Sequence, residues 1–356
     1  MGHYQEQPVQ TLDFGAQEEE KFPRPERPVD TDEFVDYTQT MPESDVTFDM
    51  IAIPGGTFTI GSTKDQPGSE EDERPARIVQ ISPFWMGETE VSWREWEAFY
   101  AKTATRGKNE IIPGMESAAE DSIEFDAITG PTPPYGSPDQ GWGRGERPAI
   151  TMTHHAAEVY CEWLSKVTGK KFRLPTEAEW EYACRAGTSG AYYFDADPGK
   201  LTKTSLINRI KGIDTSVLDE HTWFDGNSSG KTHLPFTKAP NPWGLFNMSG
   251  NVKEFCADWY APDAYSAYPD GQAVVNPKGP SSGTEHVIRG GSFRSDPMAL
   301  RVSNRDHTYT SRWLMTDPQQ PKSIWWYSDC KEVGFRIVRE LEPGEAGTDE
   351  TTVSSR

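Results

Sequence analysis

Apolar and polar residues alternate first near position 50. Met50-Ile-Ala-Ile-Pro-Gly-Gly-Thr-Phe-Thr-Ile-Gly61 has apolar residues before a Pro-Gly-Gly break and apolar residues alternating with threonine after it. That pattern predicts a short hairpin. Residues 76–81 and 84–86 predict further short strands. The period then lengthens. Across residues 91–100, Ser92 and Glu95 have the spacing of a capping box, and Trp93, Trp96 and Tyr100 share one helical face. A second helix is expected over residues 154–168, with Thr153 as N-cap, Tyr160, Trp163 and Val167 on one face, and Gly169 as its stop. His154 and His155 fall in its first turn and point in different directions, so they read as ordinary polar positions. The sharpest helical signal runs from Thr176, which caps with Glu179, through acidic first-turn residues to Arg185 and Gly187. Beyond residue 188 the helical period stops, and Gly, Asn, Pro and Trp dominate. Helices first and irregular backbone afterwards do not fit an alternating βαβ plan. The expected class is α+β, with short strands, few helices and much irregular structure.

Charge divides the chain further. Residues 1–50 hold 13 acidic and 3 basic residues, nearly half of a net charge of −21. So acidic and aliphatic-poor a segment cannot offset its ordering entropy. Residues 1–47 are therefore expected to be a disordered acidic tail, 48–340 one domain, and 341–356 a second disordered tail. The 12 % aromatic content requires a packed core in between. A net charge this negative excludes nucleic-acid binding through a general basic surface. No apolar run reaches the roughly 18 residues of a spanning helix, and the first 30 residues lack the order of a secretory signal. No membrane span is expected, and the location is cytoplasmic unless a signal was trimmed. Cys161, Cys184, Cys256 and Cys330 form no Cys-x-x-Cys pair and read as buried free thiols. Residues 102–148 are long and irregular, as functional loops often are. Tyr135 and Trp142 within them suit a loop that lines a cleft.

Five segments occur in a fixed order: Pro54-Gly-Gly-Thr-Phe, Arg173-Leu-Pro-Thr-Glu-Ala-Glu-Trp-Glu-Tyr-Ala, Asn241-Pro-Trp-Gly-Leu-Phe-Asn-Met-Ser-Gly-Asn-Val-Lys-Glu-Phe, Arg289-Gly-Gly-Ser-Phe and Val333-Gly-Phe-Arg-Ile. Together, over about residues 49–340, they resemble the formylglycine-generating enzyme family, also called sulfatase-modifying factors. The resemblance implies a variant of the C-type-lectin fold with two main helices. It implies oxidation of a sulfatase cysteine, within Cys-x-Pro-x-Arg, to formylglycine. The copper for that reaction is held by two cysteines shortly after the Arg-Gly-Gly-Ser motif. This chain departs there: Ser295 stands near the first place, Pro297-Met-Ala-Leu300 covers the second, and no cysteine lies between Cys256 and Cys330. A hydroxyl cannot replace a thiolate as a Cu(I) ligand, and one Met makes a poor site. Copper is therefore not expected as a cofactor, and the family oxidation is expected to be lost or altered. In eukaryotic members, cysteines matching Cys161 and Cys184 pair with partners near the C-terminus. Ile337 takes one partner's place, so reduced thiols are expected here.

A structural Ca2+ is also implied by the resemblance, with the Asn247 side chain, the Gly250 and Val252 carbonyls and the Glu254 carboxylate as ligands. Oxygen donors around a Gly-containing turn suit a hard cation. Without the resemblance the same segment reads as a Gly-Asn turn between strands. Three functional readings then compete. One is a sulfatase modifier without the cysteine pair. Another is a non-haem iron oxidase on the same fold, although the seven histidines show no facial-triad spacing. The third is a non-catalytic, lectin-like peptide- or sugar-binding protein, its partner a sulfatase-like protein or peptide or a glycan. Its cleft would be lined by the 126–147 loop with Tyr135 and Trp142, by Trp223, Ser292 and Arg294, and by Trp325-Trp326-Tyr327. Exposed aromatics with Arg suit such contacts, although the Trp325-Trp326-Tyr327 run reads equally well as buried strand residues.

Overall fold

A computed structural model describes residues 21–22, 24–103, 134, 136–201, 213–342 and 345. Short strands assemble into three small sheets. The first contains β1 (Tyr37–Thr40), β2 (Thr47–Ile53), β5 (Phe84–Gly87), β6 (Phe172–Arg173) and β12 (Val338–Glu340), in the order β1-β2-β5-β12-β6, all antiparallel. The second joins β3 (Gly56–Ile60), β4 (Arg77–Ile81) and β8 (Val274–Val275). The third has the order β10-β9-β7-β11, from β7 (Lys253–Trp259), β9 (His286–Arg289), β10 (Asp306–His307) and β11 (Val333–Gly334). Strands form where expected, with β3 and β4 alternating in burial and β5 buried throughout, but the hairpin at residues 50–61 does not form. β2 pairs with β1 and β5, whereas β3 pairs with β4. Pro54-Gly55 is a crossover between sheets. Gly55 lies so close to Pro83 that a Cβ would come within 2.8 Å of its Cδ. Alternation sets which residues face inward; it does not choose the partner strand.

The boundary expected at residue 47 is also displaced. β1 is paired along its whole length, Tyr37 and Met41 are fully buried, and Arg27 makes a 2.7 Å ion pair with Glu88. The dense acidic charge of the segment obscures this short buried alternation. At the other end, Leu341 still packs on the core.

Among the described residues, three helices exceed two turns: α1 (Trp93–Thr103), α2 (His154–Thr168) and α3 (Glu177–Arg185). Their starts are where side-chain capping places them. Ser92 and Glu95 exchange bonds, with Ser92 N to Glu95 Oε2 at 2.8 Å and Glu95 N to Ser92 Oγ at 3.2 Å. Thr153 accepts from Ala156 N, and Thr176 and Glu179 complete a capping box. α2 stops at Gly169 in the left-handed region, as expected, while α3 turns one residue early, at Ala186. Trp96, Phe99, Tyr160, Trp163 and Phe335 form one aromatic core between α1 and α2. Trp180, Cys184, Met248 and Cys256 belong to a second, behind α3.

So much irregular backbone leaves many carbonyls outside any ladder, and buried ones need donors. Fully buried arginines supply them. The Arg336 guanidinium donates to Gly87 O and Phe246 O, both at 2.7 Å, and pairs with Glu254 at 2.9 Å. Arg289 does the same for residues 302–304. Two arginines that carry the sequence motifs are thus clamps on backbone.

Candidate functional site

β9 ends at Arg289, and the chain turns through Gly290 (φ 94°) and Gly291 (φ 71°) into Ser292. A Cβ on Gly291 would stand 2.8 Å from Ala299 O, so only glycine fits this close approach. Gly250 N donates to Gly290 O and Phe293 N to Asn251 O, both at 2.8 Å, locking the two motif turns together. Ser292 is fully buried. Its Oγ donates to Glu332 Oε2 at 3.0 Å and accepts from Arg294 N at 3.2 Å, while its N donates to Ser295 Oγ at 2.9 Å. Arg294 is half exposed and pairs with Glu332 at 3.5 Å. Trp142 sets its ring edgewise on Phe293, 5.2 Å between centroids, and the Lys331 ammonium stands 6.0 Å from the Trp142 ring. Beside these residues a cleft of about 630 Å3 is lined by Lys253, Arg294, Arg312, Lys331 and Glu332, with Tyr309, Trp313 and Met315 along one wall.

Of the residues singled out in the sequence, Trp142, Ser292 and Arg294 are therefore brought together. Tyr135 lies outside the described residues. Trp223 is not in the cleft lining: its ring stacks on His233 at 3.7 Å beneath the Lys238 ammonium, and its Nε1 donates to Thr237 Oγ1. The Trp325-Trp326-Tyr327 run is not an exposed aromatic surface either. All three are buried, and Trp326 packs edgewise on Trp96. With α1 supplying an aromatic face, this run completes the core on the other side. Lys253, Arg312, Lys331 and Glu332 were not legible as site residues, because isolated charges carry no period and meet only through tertiary contacts, Lys253 through the β7–β11 pairing and Arg312 through the bond of Asp329 N to Trp313 O.

The donors near Ser292 do not fit a two-thiolate copper site. Ser295 is nearly buried and its hydroxyl already takes Ser292 N, while Leu300 is fully buried. Cys330 borders the cleft, but burial pushes its thiol up to about 12. The four cysteines are free and buried. His154 stacks on His286 at 3.5 Å, His221 on Phe194 and His233 on Trp223. Among the described residues, no three or more His, Cys, Asp or Glu side chains are grouped as metal ligands.

One feature of the Asn247 turn does fit a hard cation. Asn247 Oδ1 is buried without a hydrogen-bond partner. Its Nδ2 donates to Glu90 Oε2 at 3.0 Å, which fixes which way the oxygen faces. Gly250 adopts φ 90°, where a Cβ would lie 2.3 Å from Trp223 O. The Glu254 carboxylate is shared with Arg336 and with Trp180 Nε1, at 2.7 Å, so its charge is already matched.

Residues 37–341 match a family model described as a sulfatase-modifying factor enzyme 1-like domain. That match begins at β1. A formylglycine-generating enzyme from Thermomonospora curvata is 33 % identical over 261 residues, covering 68 % of this chain and 82 % of that protein. The enzyme of the same name from Bos taurus is 31 % identical over 313 residues, covering 83 % and 75 %. Among solved structures, PvdO from Pseudomonas aeruginosa has a TM-score of 0.55 at 28 % identity, covering 82 % of this chain and 94 % of that one. No helix among the described residues is long and apolar enough to cross a membrane.

Proposed function

The chain belongs to the sulfatase-modifying factor family, and on that premise we propose a divergent member whose cleft beside Ser292 binds a protein or peptide ligand without copper-dependent cysteine oxidation. One observation carries this reading. Where the resemblance implies two copper thiolates, the chain places a hydroxyl occupied by backbone, at Ser295, and the cysteine-free stretch Pro297-Met-Ala-Leu300. Soft-metal oxygen chemistry has no ligand pair there. The surrounding architecture is retained: the glycine turn, the Ser292–Glu332 bond and an open cleft. A turnover assay tests the reading. The purified chain is mixed with a Cys-x-Pro-x-Arg peptide, oxygen, reductant and copper, with the Thermomonospora curvata enzyme as control, and the peptide is followed by mass spectrometry. No aldehyde is expected; conversion comparable to the control overturns the proposal.

A structural Ca2+ is part of the same proposal. Asn247 Oδ1 and the carbonyls of Gly250 and Val252 would hold it, whereas Glu254, the fourth ligand the resemblance implies, is engaged by Arg336 and Trp180 and would have to share its carboxylate. The orphaned, oriented Asn247 oxygen supports that assignment. Bound calcium would supply a positive charge that fastens the turn against Glu90. Excess EGTA is expected to lower the melting temperature by several degrees, since each kcal/mol lost shifts a domain of this size by about 2–4 °C. Asn247→Ala is expected to melt lower and to respond no further to EGTA. An unchanged melting curve of the parent protein in EGTA removes the site.

A further inference from the structure

We infer that the cleft beside Ser292 takes an acidic peptide segment. This rests on the reading of that cleft as the ligand site, and it names the ligand's chemistry. Four cations line the cleft: Lys253, Arg294, Arg312 and Lys331. They stand on a chain whose net charge is −21. The two carboxylates in the lining, Asp329 and Glu332, are already engaged. Glu332 takes the Ser292 hydroxyl and the Arg294 guanidinium. Asp329 takes Thr316 N at 2.8 Å and Thr316 Oγ1 at 2.7 Å, with Ser328 Oγ at 3.0 Å; burial raises its carboxyl, but these bonds and the Lys322 charge together outweigh it and hold it below the usual range.

Lys253 pairs with Asp306 at 2.6 Å. Arg312 and Lys331 form no ion pair among the described residues; Lys331 has only its contact with the Trp142 face. Like charges in one concavity repel, and a carboxylate-bearing ligand removes that repulsion. The space is far larger than one small anion needs. Its wall of Tyr309, Trp313 and Met315, the last 71 % exposed, offers apolar and aromatic surface to side chains between the acidic groups.

The test uses the full chain and three fluorescein-labelled nonapeptides with a common Cys-x-Pro centre, followed by fluorescence anisotropy. One is flanked by aspartates, one by lysines, and one ends in the Cys-x-Pro-x-Arg form. The aspartate peptide is expected to bind at least about tenfold more tightly than the lysine peptide, with an affinity that falls as salt rises. The double variant Arg312→Glu/Lys331→Glu changes surface side chains and is checked by its melting curve; it is expected to lose or reverse the preference. Equal affinities, a preference for lysine, or an aspartate affinity untouched by the double variant overturns the inference. So does full competition by inorganic sulfate at millimolar concentration, which would assign the cleft to a small anion. Binding of the Cys-x-Pro-x-Arg peptide alone sinks the acidic ligand but leaves the peptide-binding reading standing. If none of the three peptides binds, both fall.

Discussion

Arg289→Met is expected to lower folding stability by about 3–5 kcal/mol, because it removes one partner of a buried charged network. The Arg289 side chain is wholly buried. Its Nη1 donates to Ser303 O at 3.0 Å and Asn304 O at 2.7 Å, and its Nη2 to Val302 O at 2.8 Å and to Glu181. Methionine fills much of the space but leaves three carbonyls and part of the Glu181 charge without donors. Lysine is not expected to rescue: one ammonium cannot span donors that the planar guanidinium presents in a fixed fork. A melting temperature lower by roughly 10 °C is the readout, for both variants. An unchanged melting temperature with impaired ligand binding would show instead that Arg289 serves the site and not the fold.

Glu73→Gln is expected to cost about the same, for a related reason, and to alter the response to acid. Glu73 and Arg301 are both fully buried and paired at 2.5 Å, with Ser62 Oγ at 2.6 Å and Ser303 Oγ at 2.9 Å as further donors to the carboxylate. Burial raises the carboxyl's pKa, but the Arg301 hydrogen bond and charge and the two serine hydroxyls outweigh it, and the net shift is downward from 4.5. A carboxyl whose folded pKa is depressed stabilises the fold above its unfolded pKa, and that contribution is lost as pH falls through the folded value. The stability gap between the parent protein and Glu73→Gln should therefore be full near neutrality and shrink below about pH 4.5. Glu73→Met/Arg301→Met should recover a large part of the loss, since replacing both charges leaves none buried alone. Urea denaturation at pH 7 and pH 3.5 measures the gap. A gap independent of pH, or a double variant as weak as the single one, refutes the assignment. The pair also holds residues 297–301, the stretch that covers the second expected copper cysteine, against residues 62–73.

Much of the local structure was legible because its causes are local. The Ser92–Glu95 and Thr176–Glu179 boxes act over three residues, and Gly169 ends α2 because a left-handed residue is needed there. The family was legible for another reason: five segments in fixed order mark turns and clamps that this fold requires. Even so, the motifs read as a site are largely structural. Arg289 and Arg336 hold backbone, and Glu254 answers Arg336. Of the cleft lining, Arg294 was accessible through the Arg-Gly-Gly-Ser motif, while Ser292 and Trp142, reached through that motif and a conspicuous loop tryptophan, stand beside it through Glu332 and Phe293. Trp325-Trp326-Tyr327 stood open to both readings, since a tryptophan looks the same in sequence whether it is stacked inside or exposed, and the partly exposed Trp223 stacks on His233 away from the cleft lining.

Helix starts, the alternation of the short strands, the family and the missing thiolate pair were all determined by the sequence alone, because each depends on the identity of a few neighbouring residues. The tertiary structure decided the rest. Strand β2 leaves its neighbour β3 for β1 and β5, because a strand's face is set by its own residues and its partner by the packing of the whole. β1 is recruited from an acidic segment because Tyr37 and Met41 find a core. Lys253, Arg294, Arg312 and Lys331 line one cleft because β7 pairs with β11, Arg294 pairs with Glu332 and the 310–313 helix bonds to residues 328–329, and electrostatics depends on distance in space, not on position along the chain.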